Sequence, residues 1–221
     1  MDRKRTAILI SGRGSNMTAL IEAARDEHYP AQICLVVSNR PDAAGLQRAA
    51  DAGIATAVVD HTRYRKDREA FERALQDVLL QHRIEIVCLA GFMRLLTAWF
   101  VGQWPNRILN IHPALLPAFK GLDTHRRAIE AGVTEHGATV HFVVPEMDSG
   151  PIIAQGRVPV LAGDTEAALA ARALSVEHRI YPLALKLVAS GRVRVSDGGC
   201  IIDGPVDADD APYLPGHITA H

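Results

Sequence analysis

The stretch Ile84–Leu89, with the sequence IEIVCL, is apolar at nearly every position and has no amphipathic face. Such a run is typical of a strand in a parallel sheet that helices cover on both faces, because neither face then meets water. We therefore expect this strand to lie in the centre of the sheet.

Short β-rich runs alternate with helical patterns on both sides of this strand. Before it, the predicted strands are Thr6–Ile10, Ile33–Val37 and Thr56–Val59, and the predicted helices are one from about Asn16, one ending at Gly53 and Asp67–His82. After it, the predicted elements are the strands Ile108–Ile111 and Ala138–Val144, the helices 124–131 and 164–190, and two short strands within 192–204. This rhythm predicts one α/β domain with a mostly parallel, Rossmann-like sheet flanked by helices. The acidic tail from about Val206 is expected to be loosely held.

Composition narrows the class of function. The 221 residues include 24 basic and 25 acidic side chains, a formal net charge of -1, so the basic excess that nucleic-acid binding leaves is missing. The apolar segments are short and broken by charge, which argues against a membrane span or a signal peptide. The three cysteines are far apart and suit a reducing cytoplasm. We expect a cytoplasmic protein that binds neither nucleic acid nor membranes.

The segment Ser11–Asn16 (SGRGSN) lies between the first predicted strand and the first predicted helix. A glycine-rich turn there lets backbone N–H groups and a helix N-terminus converge on an anion, so a phosphate is the expected ligand. Met17 replaces the third glycine of a dinucleotide motif and no Gly-Lys-Ser/Thr follows, which disfavours a nicotinamide cofactor and a Walker loop. The alternative is an ordinary tight turn in which Asn16 caps the helix.

Polar side chains follow two later strands. Strand periodicity puts Asn110 and His112 on one face, at the carboxyl edge where parallel sheets place their ligands. Asp148 lies in a bend bounded by Gly150 and prolines, which can direct its carboxylate toward His112. Taken singly, His112 is also compatible with a structural histidine, and Asp148 with an Asx turn.

Two further patterns bear on ligands. The apolar loop Gly91–Leu96 carries one arginine and suits a flat aromatic ligand, although such a run also packs in protein cores. Ten histidines raise the question of a metal, but HExxH and paired CxxC motifs are missing, and so is the GxSxG of a serine nucleophile. An enzyme with this sequence is expected to work without a metal or a covalent intermediate.

Together these segments resemble the folate-dependent formyltransferases. The matching pieces run in order through about residues 6–195: Ser11–Asn16 (SGRGSN), Ser38-Asn39, Leu89–Leu96 (LAGFMRLL), Leu109–Pro117 (LNIHPALLP), Gly121–His125 (GLDTH), His136–Phe142 (HGATVHF) and Asp148–Ile152 (DSGPI). Each is weak alone, and the set is specific.

The resemblance implies transfer of the formyl group of 10-formyltetrahydrofolate to the amine of glycinamide ribonucleotide in de novo purine biosynthesis. It implies a single formyltransferase domain over residues 1–221, with a phosphate-binding half at about 1–104 and a catalytic and folate-binding half at about 105–205. The implied catalytic residues are Asn110, His112 and Asp148. The implied substrate-binding residues are Gly14, Ser15 and Asn16 for the phosphate and Glu177 for the ribose. The implied folate-binding residues are Arg68, Met93, Arg94, Leu95, Leu96, Asn110, His141, Val144, Pro145, Glu146, Met147 and Asp148.

Three positions depart from the family pattern. Arg13 stands where asparagine is frequent, Asp123 where histidine is frequent, and Leu174 where a polar residue can assist the phosphate. Arg13 would supply charge that Leu174 does not.

The expected chemistry agrees with these roles. Attack of an amine on a formyl carbon creates a negative oxygen, which the Asn110 amide and a protonated His112 would stabilise. Asp148 would favour the imidazolium and order a water for proton transfer.

Other readings of the same sequence remain open. A formyltetrahydrofolate hydrolase would use water in place of the amine, a methionyl-tRNA formyltransferase would add an RNA-binding domain, and a non-catalytic protein would bind folate and nucleotide without turnover. The Ser11–Asn16 loop and the Gly121–His125 segment favour the transferase. The expected partners are the two small molecules, and the protein is expected to be a monomer or a homodimer.

Overall fold

A computed structural model describes residues 2–214 of the chain. The elements up to residue 112 are the strands β1 (Lys4–Ile10), β2 (Ala31–Ser38), β3 (Ala55–Val58), β4 (Ile86–Leu89) and β5 (Ile108–His112), the helices α1 (Ser15–Ala23), α2 (Ala44–Asp51), α3 (Arg68–Gln81) and α4 (Ala98–Gln103), and a 3-10 helix, His61–Tyr64. The later elements are β6 (Glu135–Phe142), β7 (Ile152–Pro159), β8 (Val193–Ser196) and β9 (Gly199–Ile202), the helices α5 (Thr124–Glu130) and α6 (Glu166–Ala189), and a 3-10 helix, Ala211–Tyr213.

The main sheet has seven strands in the order β3-β2-β1-β4-β5-β6-β7. The pairs β1–β2, β1–β4, β2–β3 and β4–β5 are parallel, and β6–β7 is antiparallel. The predicted α/β class with a mostly parallel sheet is confirmed. The IEIVCL strand occupies the middle position, as expected from its continuous apolar run.

The chain forms two compact units, residues up to Asn110 and residues from Ile111 onward. In the first unit, Ala7–Ile10 of β1 is fully buried, since parallel strands are covered on both faces. Helix α3 begins where Asp67 accepts a hydrogen bond from the backbone N–H of Ala70 at 2.9 Å, the usual N-cap arrangement. The sequence therefore sets both the strand and the helix boundary locally.

In the second unit, α6 packs on the β6–β7 pair. Ala128, Val158, Leu169 and Ala173 form a buried cluster among α5, β7 and α6. Pro182 lies inside α6 and does not end it. Strands β8 and β9 form the predicted C-terminal hairpin.

Two parts of the second unit differ from expectation. Strand β7 was not predicted, because Gln155, Gly156 and Arg157 interrupt its apolar alternation. The tail was expected to be loosely held, and this is wrong for its described part: Leu214 is 7% exposed, and the Arg179 guanidinium lies 4.8 Å from the centre of the Tyr213 ring. Residues 215–221 of that tail lie outside the described residues. Within residues 2–214, no helix combines the length and the apolar character needed to cross a bilayer.

Candidate functional site

Ser11 ties together the loops that follow three neighbouring strands. Its buried hydroxyl lies 2.6 Å from Oδ1 of Asn39, which follows β2, and accepts a hydrogen bond at 2.8 Å from the backbone N–H of Met93, which follows β4. Its own backbone N–H donates to the carbonyl of Gly91 at 3.1 Å. These bonds fix the loops at the carboxyl ends of β1, β2 and β4 relative to one another.

The loop after Ser11 leads into α1 through a left-handed residue. Gly14 has φ 70° and ψ 43°, a conformation that glycine adopts at little cost. The first intrahelical bond runs from the backbone N–H of Thr18 to the carbonyl of Gly14 at 3.0 Å. The preceding amides of Ser15, Asn16 and Met17 therefore lie at the open end of the helix, where an anion is stabilised.

A cavity of about 480 Å³ opens above this loop. Its lining residues include three arginines and one histidine, so the cavity suits a negatively charged ligand. The full lining is Ser11, Gly12, Arg13, Gly14, Ser15, Asn16, Asn39, Arg40, His61, Ala90, Gly91, Met93 and Arg94. The three residues predicted for the phosphate and two of those predicted for folate thus meet in one cavity of the first unit.

His112 ends β5 and is 5% exposed. Its Nε2 lies 2.9 Å from the backbone carbonyl oxygen of Phe119, and its Nδ1 lies 3.5 Å from Oδ2 of Asp148. A carbonyl oxygen can only accept, so Nε2 carries a hydrogen atom and Nδ1 is the nitrogen that takes up or releases a proton. The expected approach of Asp148 to His112 is present.

Asp148 is held by the loop around it. The residue has φ 49°, and its Oδ2 accepts a hydrogen bond from the backbone N–H of Gly121 at 2.9 Å. Next to it, Nζ of Lys120 lies 2.5 Å from Oγ of Ser149. The carboxylate is therefore oriented by the segment between β5 and α5.

His141 lies on the other side of the carboxylate. Its Nδ1 donates to the carbonyl of Phe142 at 2.8 Å, and its Nε2 lies 3.9 Å from Oδ1 of Asp148. Burial lowers the pKa of His141, and the hydrogen bond to Phe142 and the charge of Asp148 oppose that effect. The buried ring is therefore expected to be neutral near pH 7.

The remaining predicted residues are distributed over both units. In the first unit, Arg68 begins α3 and is exposed, and neither it nor Leu95 and Leu96 belongs to the cavity lining. In the second unit, Val144 is half-buried, and Pro145, Glu146 and Met147 are exposed after β6. Asn110 is half-buried in β5, and Glu177 is buried in α6. The roles assigned to all of these residues stay predictions.

Several residues of the cavity and of the surroundings of the His112–Asp148 pair were not predicted from the sequence. Asn39, Arg40 and His61 line the cavity, and Lys120 and Gly121 hold the loop that carries Asp148. Ser11 was predicted as part of the phosphate turn, but its bonds to the other loops were not. The Ser38-Asn39 and Gly121–His125 motifs contain some of these residues. Neither motif indicates that Asn39 contacts Ser11 or that Gly121 contacts Asp148. Among residues 2–214, no group of three or more histidine, cysteine or acidic side chains is arranged to hold a metal ion.

Comparisons with known proteins point in one direction. Residues 4–185 match the model of the Formyl transferase family. Phosphoribosylglycinamide formyltransferase of Escherichia coli (strain K12) is 45% identical over 197 residues, which cover 89% of this chain and 92% of that protein. Glycinamide ribonucleotide transformylase 1 from Symbiobacterium toebii has a crystal structure that superposes with a TM-score of 0.88, at 45% identity, and covers 91% of this chain and 95% of that one.

A longer relative shows the same similarity over part of its length. The human trifunctional purine biosynthetic protein adenosine-3 is 51% identical over 199 residues, or 90% of this chain. The match covers 20% of that relative, so the chain spans about a fifth of its length.

Proposed function

We propose, from the premise that the chain belongs to the formyl transferase family, that it transfers the formyl group of 10-formyltetrahydrofolate to the amine of glycinamide ribonucleotide. The observation that carries the proposal is the buried pair of His112 and Asp148, with 3.5 Å between Nδ1 and Oδ2. The similarity of most of the chain to the phosphoribosylglycinamide formyltransferase of Escherichia coli supports the choice of substrates. The chain is thus a one-carbon transferase of purine biosynthesis.

The reaction needs a proton donor and stabilisation of a negative oxygen. The amine of the ribonucleotide bonds to the formyl carbon, the bond from that carbon to the folate nitrogen breaks, and a proton passes from the amine to that nitrogen. Negative charge develops on the formyl oxygen, where fixed donors stabilise it best. In this proposal the donors are the side-chain amide N–H of Asn110 and the Nδ1–H of protonated His112.

The contacts of His112 define its part in this chemistry. Because Nε2 is engaged with the carbonyl of Phe119, Nδ1 is the nitrogen that takes up the proton, and Asp148 stabilises the resulting charge. A water held by the Asp148 carboxylate would relay the proton from the amine. The protein needs no covalent intermediate for any of these steps.

The first unit supplies the phosphate site. The open amides at the start of α1 and the hydroxyl of Ser15 bind the phosphate, and Arg13, which is exposed at the cavity, adds charge that Leu174 cannot. Glu177 would contact the ribose, as the family resemblance implies.

The folate site is proposed from exposed apolar side chains. In the first unit Met93 is 71% exposed and Leu95 58%, and in the second unit Met147 is 49% exposed; large apolar side chains exposed to this extent fit contact with a flat aromatic ligand. Arg68, Arg94, Leu96, His141 and the 144–148 segment complete the set. When bound, the folate supplies the formyl group.

One assay separates the rival activities. Purified protein is incubated with 10-formyltetrahydrofolate, with and without glycinamide ribonucleotide, and both formylated ribonucleotide and free formate are measured. The proposal expects product only when the ribonucleotide is present. Formate released without it would show a hydrolase, and ligand binding without either product would show a non-catalytic binder.

A further inference from the structure

His61 lines the same cavity as the phosphate loop but comes from a different part of the first unit. It begins the 3-10 helix that follows β3 and is partly exposed. Its backbone N–H donates to the carbonyl of Asn39 at 3.3 Å, which fixes the start of this helix against the end of β2. The ring therefore lies on the wall of the cavity, beside the end of β2.

The side chain of Asn39 has a defined orientation. The Ser11 hydroxyl oxygen accepts from the backbone N–H of Met93 at 2.8 Å, so its own hydrogen is available for Oδ1 of Asn39 at 2.6 Å. Oδ1 is consequently the accepting end of the amide, and Nδ2 is the end that faces His61, 3.2 Å from its Nδ1. A chain of short contacts thus leads from the loop after β4 to the histidine.

This arrangement leaves one ring nitrogen of His61 for a ligand. Nδ1 lies between Nδ2 of Asn39 and the backbone carbonyl oxygen of Asn39, the latter at 2.8 Å. A carbonyl oxygen can only accept, so Nδ1 carries a hydrogen atom and donates it to the backbone of Asn39. In the cationic ring, which an anionic ligand favours, Nε2 carries a hydrogen atom as well and can donate it to a ligand in the cavity.

The neighbouring cations of the cavity are partly engaged. Arg40 is paired with Asp42 through two bonds of 3.1 and 2.8 Å, and Arg94 lies 5.6 Å from the centre of the Phe71 ring. These contacts engage the guanidinium groups of Arg40 and Arg94 with other side chains of the protein. His61 combines a ring held by Asn39 with an Nε2 that makes no hydrogen bond to another residue among 2–214.

We propose that His61 is a further binding residue for the phosphate of the ribonucleotide, that it donates Nε2–H to a phosphate oxygen, and that Asn39 positions its ring. This inference rests on the proposed function for the identity of the ligand. The chemistry it predicts is recognition of a phosphate monoester by the amides of the Gly14–Asn16 loop from one side and by the imidazole from another. A charged hydrogen bond of this kind changes affinity by about tenfold to about a hundredfold.

The test compares ligands with and without a phosphate. Binding of glycinamide ribonucleotide and of the dephosphorylated ribonucleoside to the full chain is measured by titration calorimetry in the absence of folate, with inorganic phosphate as a competitor. His61→Ala should weaken binding of the ribonucleotide and of inorganic phosphate by about tenfold to about a hundredfold and leave binding of the ribonucleoside unchanged. His61→Lys, which restores a cation, should recover part of the loss. His28→Ala, at an exposed histidine outside the cavity, is the control and should change nothing.

The outcomes separate this inference from the proposed function. Equal losses for ribonucleotide and ribonucleoside, or normal affinity for phosphate in a folded His61→Ala protein, would overturn the role of His61. Because these titrations involve no turnover, a wild-type protein that binds the ribonucleotide but forms no product would instead contradict the proposed transfer reaction.

Discussion

Glu72, on the buried face of α3, accepts hydrogen bonds from both the backbone N–H and the hydroxyl of Thr97. Glu72 is 1% exposed, and Thr97 is the N-cap of α4. The pair therefore joins α3 to the end of the Met93–Leu96 loop, which is proposed to contact folate. Removing the buried carboxylate would leave the backbone N–H and the hydroxyl of Thr97 without their acceptor, which destabilises the folded protein.

Glu72→Ala should therefore destabilise the protein by about 1–3 kcal/mol, as measured by urea unfolding followed by circular dichroism. The control is Glu69→Ala on the same helix, because the Glu69 side chain is 53% exposed and forms an exposed ion pair with Arg73. Exposed pairs of this kind contribute about 0–1 kcal/mol. Similar unfolding midpoints for the two variants would show that the Thr97 contacts contribute little.

Gly14→Val should impair the phosphate loop. A Cβ at this position would lie 3.1 Å from Cε of Met17, and φ of 70° is costly for a β-branched residue. The displaced amides should raise KM for the ribonucleotide far more than KM for the folate. Gly102→Ala in α4, where an added Cβ meets nothing within 4 Å, is the matched control. If Gly14→Val raised both Michaelis constants equally, the phosphate would have to bind elsewhere.

Acid should weaken the second unit through a histidine pair. Nδ1 of His125 lies 3.0 Å from Nε2 of His136, and burial, with the neighbouring His125, lowers the pKa of His136 to about 4. The unfolded chain, whose histidines titrate at about 6.5, then binds more protons than the folded one. Stability is therefore full above about pH 6.5 and is lost as the pH falls toward about 4.

His136→Gln should reduce the loss of stability at acidic pH, because glutamine can still form a hydrogen bond to His125 but does not titrate. The measurement is the midpoint of urea unfolding between pH 7.5 and 4.5 for both proteins. His125, His141 and His178, whose pKa values burial also lowers, keep some acid sensitivity in the variant. Parallel curves for the variant and the wild type would show that His136 is not a source of the effect.

The described part of the tail should contribute to stability. The Arg179 side chain donates to the carbonyl of Asp209 at 2.8 Å and lies over the ring of Tyr213, which packs near Gly156 of β7. Tyr213→Ala should cost about 1–2 kcal/mol, and Tyr213→Phe, which keeps the ring, should cost less than half of that. Unfolding curves that coincide for all three proteins would mean that this contact is energetically silent.

The sequence was informative where a property is local. The apolar run of β4 indicates a central strand, and the glycines of the 11–16 segment indicate a turn before a helix, because both features follow from backbone geometry. Strand β7 was missed because its buried residues Ile153, Ala154 and Val158 do not alternate regularly with polar ones. In that case pairing with β6, and not intrinsic preference, determines the strand.

In the candidate site, too, the sequence indicated individual residues but not the contacts that depend on the fold. His112 and Asp148 were identified from motifs, but the carbonyl of Phe119, which determines the tautomer of His112, is a backbone atom in an irregular loop. Residue type carries no signal for such an atom. Likewise, the bonds from Ser11 to Asn39 depend on which strands are neighbours in the sheet.

The central prediction concerns the His112–Asp148 pair, which carries the proposed chemistry. Asp148→Asn keeps an oxygen that can accept from the N–H of Gly121, so the protein should fold and bind both ligands. It loses the charge that stabilises protonated Nδ1, and the single-turnover rate should fall by about two or more orders of magnitude. His112→Ala should do the same.

The control and the double variant distinguish a shared role from separate ones. Asp197→Asn makes the same change at φ 50°, close to the 49° of Asp148, but in the β8–β9 turn, so it should leave the rate unchanged. If His112 and Asp148 act as one unit, the double variant should be little slower than the slower single variant, because the second change removes nothing that the first has not removed. Losses that multiply would assign the two residues independent roles. A normal rate in a folded His112→Ala protein would end the mechanism proposed here, since no proton donor would then be needed at Nδ1.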